Sequence, residues 1–151
     1  EFILNFSEDA QLLAEDKERQ FAVVRNDNAE AAFDHGWIRQ VLLNLLSNAL
    51  HFSPVHGVIT LHSKCDDHSW TVEIGDEGPG VPPNRMGELF QRFSQINSSP
   101  RPRSGSGLGL AICKSIVELH HGTITARNRT ERSGFIVSFT LPLKSRLDAS
   151  T

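Results

Sequence analysis

Apolar residues recur at helical spacing in three segments of the chain. The strongest pattern covers residues 35–51, where six apolar side chains follow the i, i+3, i+4, i+7 order of a buried helix face: Ile38, Val41, Leu42, Leu45, Leu46 and Ala49. Residues 52–54 (FSP) should end this helix, because proline disfavours helical geometry at the residue before it. Further helices are predicted over residues 7–18, with Ser7 as N-cap, and over residues 108–120, with Gly122 as the C-terminal stop.

Strand patterns fill most of the remaining chain. Residues 58–63 and 70–74 alternate apolar and polar side chains, and shorter β-like runs cover residues 21–25, 31–34, 123–126 and 134–143. A Gly/Pro-rich turn follows at residues 76–83, then a short amphipathic helix at 85–93 and a polar, mobile loop at 95–106. Strands follow strands too often for a doubly wound fold. The order predicts an α+β, two-layer domain, with one mixed, mostly antiparallel sheet covered on one face by three helices.

Composition narrows the class of protein. With 151 residues, 38% hydrophobic and 22% charged, the chain should form one globular domain over residues 1–144, followed by a loose tail at 145–151. The net charge of −3 and the lack of a basic face argue against nucleic-acid binding. Cys65 and Cys113 have neither metal nor disulfide spacing, which favours the cytoplasm. No signal peptide is visible, and no apolar run approaches the roughly 20 residues that cross a bilayer, so we expect no direct membrane contact by this domain. A membrane-bound parent protein, such as an inner-membrane sensor, stays open.

Three polar side chains share one flank of the strongest helix. At about 100° per residue, Asn44, Asn48 and His51 lie within roughly 60° of one another, and the apolar stripe is centred about 130° away. An asparagine amide oxygen is a hard, neutral ligand that suits Mg²⁺ when phosphates and water supply the other ligands. Two surface asparagines without a ligand would produce the same pattern.

Two glycine-rich segments could hold a flat ligand and a phosphate chain. Asp76 follows an apolar strand, where its carboxylate could accept a hydrogen bond from an exocyclic amine such as that of adenine, and Gly78 and Gly80 would let a ligand approach the backbone. An ordinary turn is the alternative. Residues 105–110 (GSGLGL) lead into the helix predicted at 108–120, and glycine-rich backbone at a helix N-terminus favours phosphate. The strand required by a Rossmann motif and the lysine of a P-loop are both missing.

The order and spacing of these segments resemble the histidine kinases. Residues 44–49 (NLLSNA) resemble the N box, 76–80 (DEGPG) the G1 box, 89–93 (LFQRF) the F box and 105–110 the G2 box. The resemblance covers nearly the whole chain. It implies the Bergerat ATP-binding fold, which gyrase-type topoisomerases, a heat-shock chaperone and mismatch-repair ATPases share, and the F box indicates the kinase branch.

The resemblance also implies roles for individual residues. Asn48 would hold Mg²⁺, Asn44 would lie beside the phosphates, and Asp76 would bind the adenine amino group. His51 and Arg92 would supply charge, although many relatives carry Lys or Arg where this chain has His51. Two further departures are Gln95, where many relatives have a basic lid residue, and Ile136, where many have threonine; Arg92, Arg101 or Arg103 could replace the lid cation. Phe90 and Phe93 would anchor a lid over about residues 81–104. The nucleotide would also be lined by Phe52, Gly78, Gly80, Phe93, Gly105, Ser106, Gly107, Leu108 and Gly109.

The implied function is histidine phosphorylation in two-component signalling. The domain would bind Mg²⁺-ATP and donate the γ-phosphoryl group to a histidine on a separate dimerisation domain of the same parent protein, with a response regulator downstream. None of the seven histidines lies in a segment like the phosphoacceptor box of the family, so the chain alone should bind ATP without phosphorylating itself. Because dimerisation belongs to the other domain, we expect this one to be a monomer.

Three other functions stay open. A Bergerat-type ATPase would need a water-activating glutamate where this chain has Asn44, and an amide cannot act as a base. A degenerate module would bind nucleotide or a partner without transferring phosphate. The departures from the family pattern at His51, Gln95 and Ile136 favour this alternative. A serine kinase of the anti-sigma type shares the N, G1 and G2 motifs, but the Phe90/Phe93 pair and the longer lid disfavour it.

Overall fold

In the part of the chain that the structure describes, five strands form one mixed, mostly antiparallel sheet. The computed structural model describes residues 2–27, 33–91 and 109–143. The strand order is β1-β2-β3-β5-β4; β1 pairs with β2 in parallel and every other pair is antiparallel. The strands are β1 (Gln20–Asn26), β2 (Val58–Cys65), β3 (Ser69–Asp76), β4 (Thr123–Asn128) and β5 (Phe135–Pro142).

Among the described residues, three α-helices cover one face of this sheet. They are α1 (Phe2–Asp16), α2 (His35–Phe52) and α3 (Gly109–Leu119), and a 3₁₀ helix spans Pro83–Glu88. Along β3, Trp70, Val72 and Ile74 are buried beneath the helices, as the alternating pattern predicts. On the opposite face, Arg127 donates to Glu73 at 2.9 Å. The predicted α+β, two-layer architecture is confirmed.

Helix α2 packs between α1 and α3 and carries the largest share of the core. Its six predicted apolar residues are all buried. The Asp34 carboxylate caps its N-terminus by accepting from the Trp37 N–H at 2.9 Å, and Ser53 before Pro54 ends it. This helix therefore holds its polar residues at fixed heights above the sheet.

Three predicted elements need correction. Helix α1 starts at Phe2 rather than at residue 7, and Ser7 is a buried interior residue whose hydroxyl donates to the Leu4 carbonyl. The proposed strand at 31–34 is wrong for Phe33 and Asp34, since they precede and cap α2; residues 31 and 32 lie outside the described residues. The helix predicted at 85–93 is a 3₁₀ turn that begins earlier, at Pro83, and its last two predicted residues are not described.

The end of α3 also differs from the prediction. His121, not Gly122, adopts the left-handed conformation, with φ of 63°. The N–H of Gly122 then donates to the Val117 carbonyl and that of His121 to Glu118, as in a Schellman motif. Gly122 is needed for space instead, because a Cβ there would collide with the carbonyl of Thr140.

Several predicted segments fall outside the described residues. These are the polar loop at 95–106, most of the 105–110 glycine segment, and the tail at 145–151. Among the helices that are described, none combines the length and hydropathy needed to cross a membrane.

Candidate nucleotide-binding site

A row of side chains along α2 forms one wall of the candidate site. Asn44, Asn48 and Phe52 are spaced four residues apart and therefore lie above one another on the helix. Asn44 is half-buried and its Oδ1 accepts from the Gln40 side chain at 2.9 Å. His51 is exposed, and its ring packs edge-on against Phe52 with 4.6 Å between centroids. The three polar residues grouped on one flank by the sequence thus have different environments.

Asn48 is the most unusual of these residues. Its side chain is only 3% exposed, and its Oδ1 atom has no hydrogen-bond partner. Leaving a buried acceptor unsatisfied costs about 1–3 kcal/mol, so such atoms are rare in folded proteins. The surface reading of Asn48 is therefore wrong. An amide oxygen held in this state is ready to bind a cation or a hydrogen-bond donor.

The turn over residues 76–81 forms a second wall. Asp76 ends β3, is 2% exposed, and its Oδ1 accepts from the Gly78 N–H at 2.8 Å. A Cβ on Gly78 would lie 2.5 Å from the Phe52 carbonyl oxygen, so the absence of a side chain lets the turn touch the end of α2. Gly80 has a φ of 79°, which glycine adopts without strain. The fold therefore brings the α2 row and the Asp76 turn together.

Helix α3 directs its N-terminal end toward the same place. The ring of His120 contacts the backbone of Asp34, and the Cys113 thiol donates to the Val41 carbonyl at 3.7 Å. From the first contact to the second, the chain advances seven residues along α2 and goes back seven residues along α3. The two helices therefore run antiparallel, and their residues stay level with one another. Gly109, one turn before Cys113, then lies level with the α2 turn that carries Asn44 and Asn48. The partial positive charge of a helix N-terminus favours phosphate at this position.

Burial sets the chemistry of the thiol between these helices. It raises the pKa of Cys113 to about 12, with a smaller opposing effect from the hydrogen-bonding Asn44 side chain. Asn44 is thus engaged both by Gln40 and at this thiol. Within residues 2–27, 33–91 and 109–143, no group of three or more His, Cys, Asp or Glu side chains could hold a metal.

Other predicted site residues lie outside the described residues. They are Arg92 and Phe93 of the F box and four residues of the glycine segment, Gly105, Ser106, Gly107 and Leu108. Of the described part of the F box, Leu89 is buried and Phe90 is half-buried against the core.

Sequence reasoning missed the loop behind the turn. Residues 128–134, here called the β4–β5 loop, contain the last residue of β4 and the connection to β5. Side chains of Asn128, Arg129 and Ser133 bind the backbone of the 76–81 turn. The partners are about 50 residues apart, and only the polar character of the loop could have drawn attention to it.

Comparison with protein families identifies this arrangement. The family model described as "Histidine kinase-, DNA gyrase B-, and HSP90-like ATPase" matches residues 33–145. The chain belongs to this family. Among similar proteins, the sensor histidine kinase TmoS of Ectopseudomonas mendocina is 40% identical over 108 residues, covering 70% of this chain and 11% of TmoS. The sensor histidine kinase CusS of Escherichia coli is 36% identical over 133 residues, covering 87% of this chain and 27% of CusS.

Solved structures place the chain in the kinase branch of the family. The mycobacterial sensor histidine kinase MprB superposes with a TM-score of 0.82 at 28% identity, covering 94% of this chain and 93% of that one. The nucleotide-free catalytic domain of histidine kinase ThkA gives 0.78 at 26% identity, covering 93% and 94%. The resemblance drawn from the N, G1, F and G2 boxes is confirmed. The chain spans between 9% and 27% of the length of the sensor kinases TmoS, CusS and the Dictyostelium discoideum hybrid kinase D.

Proposed function

We propose that this domain binds Mg²⁺-ATP and donates the γ-phosphoryl group to a histidine on a separate dimerisation domain of its parent protein. The acting domain would be a cytoplasmic monomer, and a response regulator would receive the signal downstream. The observation that carries the proposal is the buried, unpartnered Oδ1 of Asn48, which lies in one row with Phe52 at the Asp76 turn.

The described residues fit the proposed ligand. Asn48 would hold Mg²⁺ through its amide oxygen, Asp76 would accept from the adenine amino group, and the N-terminus of α3 at Gly109 would face the phosphates. The metal would supply charge neutralisation, which phosphoryl transfer requires more than covalent help. The related histidine kinase ShkA, whose chain superposes with a TM-score of 0.78 at 25% identity over 94% of this chain and 29% of its own, was solved in complex with AMPPNP.

Calorimetric titration with a non-hydrolysable ATP analogue, with and without Mg²⁺, tests binding. Asn48→Ala should remove the metal-dependent part of the affinity, and Asp76→Ala should abolish binding. Ser47→Ala is the matched control, because Ser47 is exposed on the same helix turn and belongs to none of the predicted site residues. Wild-type protein that binds nothing at millimolar nucleotide would refute the proposal.

Phosphotransfer needs its own experiment. The chain is mixed with radiolabelled ATP, alone and with the histidine-bearing dimerisation domain supplied. Label should appear on that domain as acid-labile phosphohistidine and not on this chain. Stable phosphohistidine on the isolated chain would overturn the assignment of the acceptor to another domain.

The second candidate function is a degenerate module that binds nucleotide without transferring phosphate. The exposed His51 favours it, since this residue stands where the resemblance to histidine kinases implies a Lys or Arg that would help neutralise phosphate. In the phosphotransfer experiment, the wild type would then bind nucleotide without transferring label, whereas His51→Lys would transfer it. That result would support the degenerate module. An efficient ATPase is disfavoured, because Asn44 cannot activate water and its amide is already engaged with Gln40.

A further inference from the structure

The 76–81 turn has a second set of contacts, on the side of the β4–β5 loop. The side-chain amide of Asn128 makes two hydrogen bonds to Val81: its Oδ1 accepts from the backbone N–H at 2.9 Å, and its Nδ2 donates to the carbonyl at 2.8 Å. Paired bonds of this kind imitate the ladder of a neighbouring strand and fix both position and orientation. Val81 itself is only 3% exposed.

Two more loop residues hold the turn at other points. The Arg129 Nε donates to the Asp76 carbonyl at 3.0 Å, and the Ser133 hydroxyl donates to the Gly78 carbonyl at 2.7 Å. Residues 76, 78 and 81 are thus each bound through the backbone by a different side chain.

Glycines in the turn and the loop make room for this arrangement. A Cβ at Gly75 would lie 2.5 Å from the Arg129 guanidinium, and one at Gly80 would collide with the Asn128 side chain. A Cβ at Gly134 would collide with the Asp76 carbonyl and with Arg129. The loop itself is closed by the Arg129 N–H, which donates to the Gly134 carbonyl at 2.9 Å.

We propose that Asn128, Arg129 and Ser133 are positioning residues that hold the 76–81 turn in the shape that receives the adenine end of the nucleotide. The proposal rests on the proposed function. It predicts that affinity depends on residues that bind only the back of the turn. Losing one such hydrogen bond should weaken binding roughly five- to tenfold.

The test combines affinity with amide hydrogen exchange in the nucleotide-free protein. The probe is ADP without Mg²⁺, so that contacts to the adenine end dominate the measured affinity and the metal does not contribute to it. Asn128→Ala and Ser133→Ala should speed exchange at the Val81 N–H and raise the Kd. Arg127→Ala is the matched control, because Arg127 precedes Asn128 on β4 but its side chain points to the opposite face and pairs with Glu73.

Asn128→Asp adds a readout that a purely structural role would not move. The new carboxylate still accepts from the Val81 N–H, but its second oxygen opposes the Val81 carbonyl until a proton restores the donor. The ratio of the Kd of Asn128→Asp to that of the wild type should therefore approach one as the pH falls from 8 toward 5. A fraction of irreversibly misfolded protein would lower the number of binding sites in the titration and leave the Kd unchanged.

The outcomes separate this inference from the proposed function. Faster exchange with weaker ADP binding in the loop variants, and neither change in Arg127→Ala, supports it. Unchanged exchange, or faster exchange with an unchanged Kd, overturns it while the proposed function stands. Wild-type protein that binds neither ADP nor Mg²⁺-ATP refutes the proposed function and removes this role with it.

Discussion

The imidazole of His120 accepts a hydrogen bond from the backbone N–H of Asp34, through Nε2 at 3.1 Å, and so joins the end of α3 to the start of α2. Its Nδ1 lies 2.8 Å from the Ile116 carbonyl, which only an N–H can satisfy. The ring thus links a backbone N–H at the start of α2 to a backbone carbonyl in the last turn of α3. This contact fixes the antiparallel register of α2 and α3 described above.

Removing this contact should destabilise the domain. His120→Ala leaves the Asp34 N–H and the Ile116 carbonyl without their side-chain partner, so we expect the free energy of unfolding to fall by about 1–2 kcal/mol. Urea denaturation measures the change. His68→Ala, at an exposed position in the β2–β3 turn, should change it by less than about 0.5 kcal/mol. Equal stability of the two variants would show that the His120 bridge contributes nothing.

The Cys113 thiol should make stability depend on alkaline pH. Its pKa is about 12 in the folded protein against an ordinary value of 9.0, so the neutral thiol favours the folded state. That contribution is complete below pH 9.0 and is lost as the pH rises toward 12. At pH 10 the loss should be roughly 1 kcal/mol. The stability of Cys113→Ala relative to wild type should improve by that amount between pH 7.5 and 10, and a constant difference would contradict the prediction.

Gly78 should be intolerant of any side chain. In Gly78→Ala the new methyl would stand 2.5 Å from the Phe52 carbonyl oxygen and 3.1 Å from the Asp76 carboxylate, forcing the turn away from α2. We expect a loss of about 1–3 kcal/mol in unfolding free energy and at least a roughly tenfold rise in the Kd for ATP. Gly87→Ala is the control, since its Cβ would meet nothing within 4 Å. Normal nucleotide binding by Gly78→Ala would show that the turn can move without loss.

Asn48 should lower the stability of the nucleotide-free domain and contribute to its Mg²⁺-dependent affinity for nucleotide. Asn48→Leu replaces an amide whose oxygen is buried without a partner by an apolar group of similar size. We expect the nucleotide-free domain to gain about 1 kcal/mol in unfolding free energy while its Mg²⁺-dependent affinity disappears. Thermal denaturation with and without Mg²⁺-ATP measures both effects. A variant less stable than wild type would mean that Asn48 serves packing instead.

Periodicity predicted the scaffold well, because burial repeats locally. All six apolar positions proposed on α2 are buried, and β3 presents Trp70, Val72 and Ile74 inward as expected. The start of α1 was missed because a polar stretch that includes Ser7 resembles a helix cap, whereas Ser7 satisfies its hydroxyl within the helix by donating to Leu4. A serine can either cap a helix or lie inside one, and its sequence neighbours do not distinguish the two. Tertiary packing decides which position it occupies.

The site was predictable only where its residues form short motifs. Residues 44–49 and 76–80 each occupy one local segment, so their spacing pointed to a nucleotide. The burial of Asn48 was not predictable from α2 alone, since it depends on what packs against that helix. Contacts such as Asn128 with Val81 join residues 47 apart in the chain, and no local pattern encodes them.

The position of β5 bears on the order in which a growing chain can fold. Among the described strands it is the last in sequence, yet it lies inside the sheet between β3 and β4. A ribosome-bound chain that lacks β5 would leave β3 with one open edge and would also lack the closed β4–β5 loop behind Asp76. Nucleotide could then stabilise only the completed domain, because a ligand shifts folding toward the state that binds it. Proteolysis during synthesis would accordingly fall on chains too short to have gained that protection.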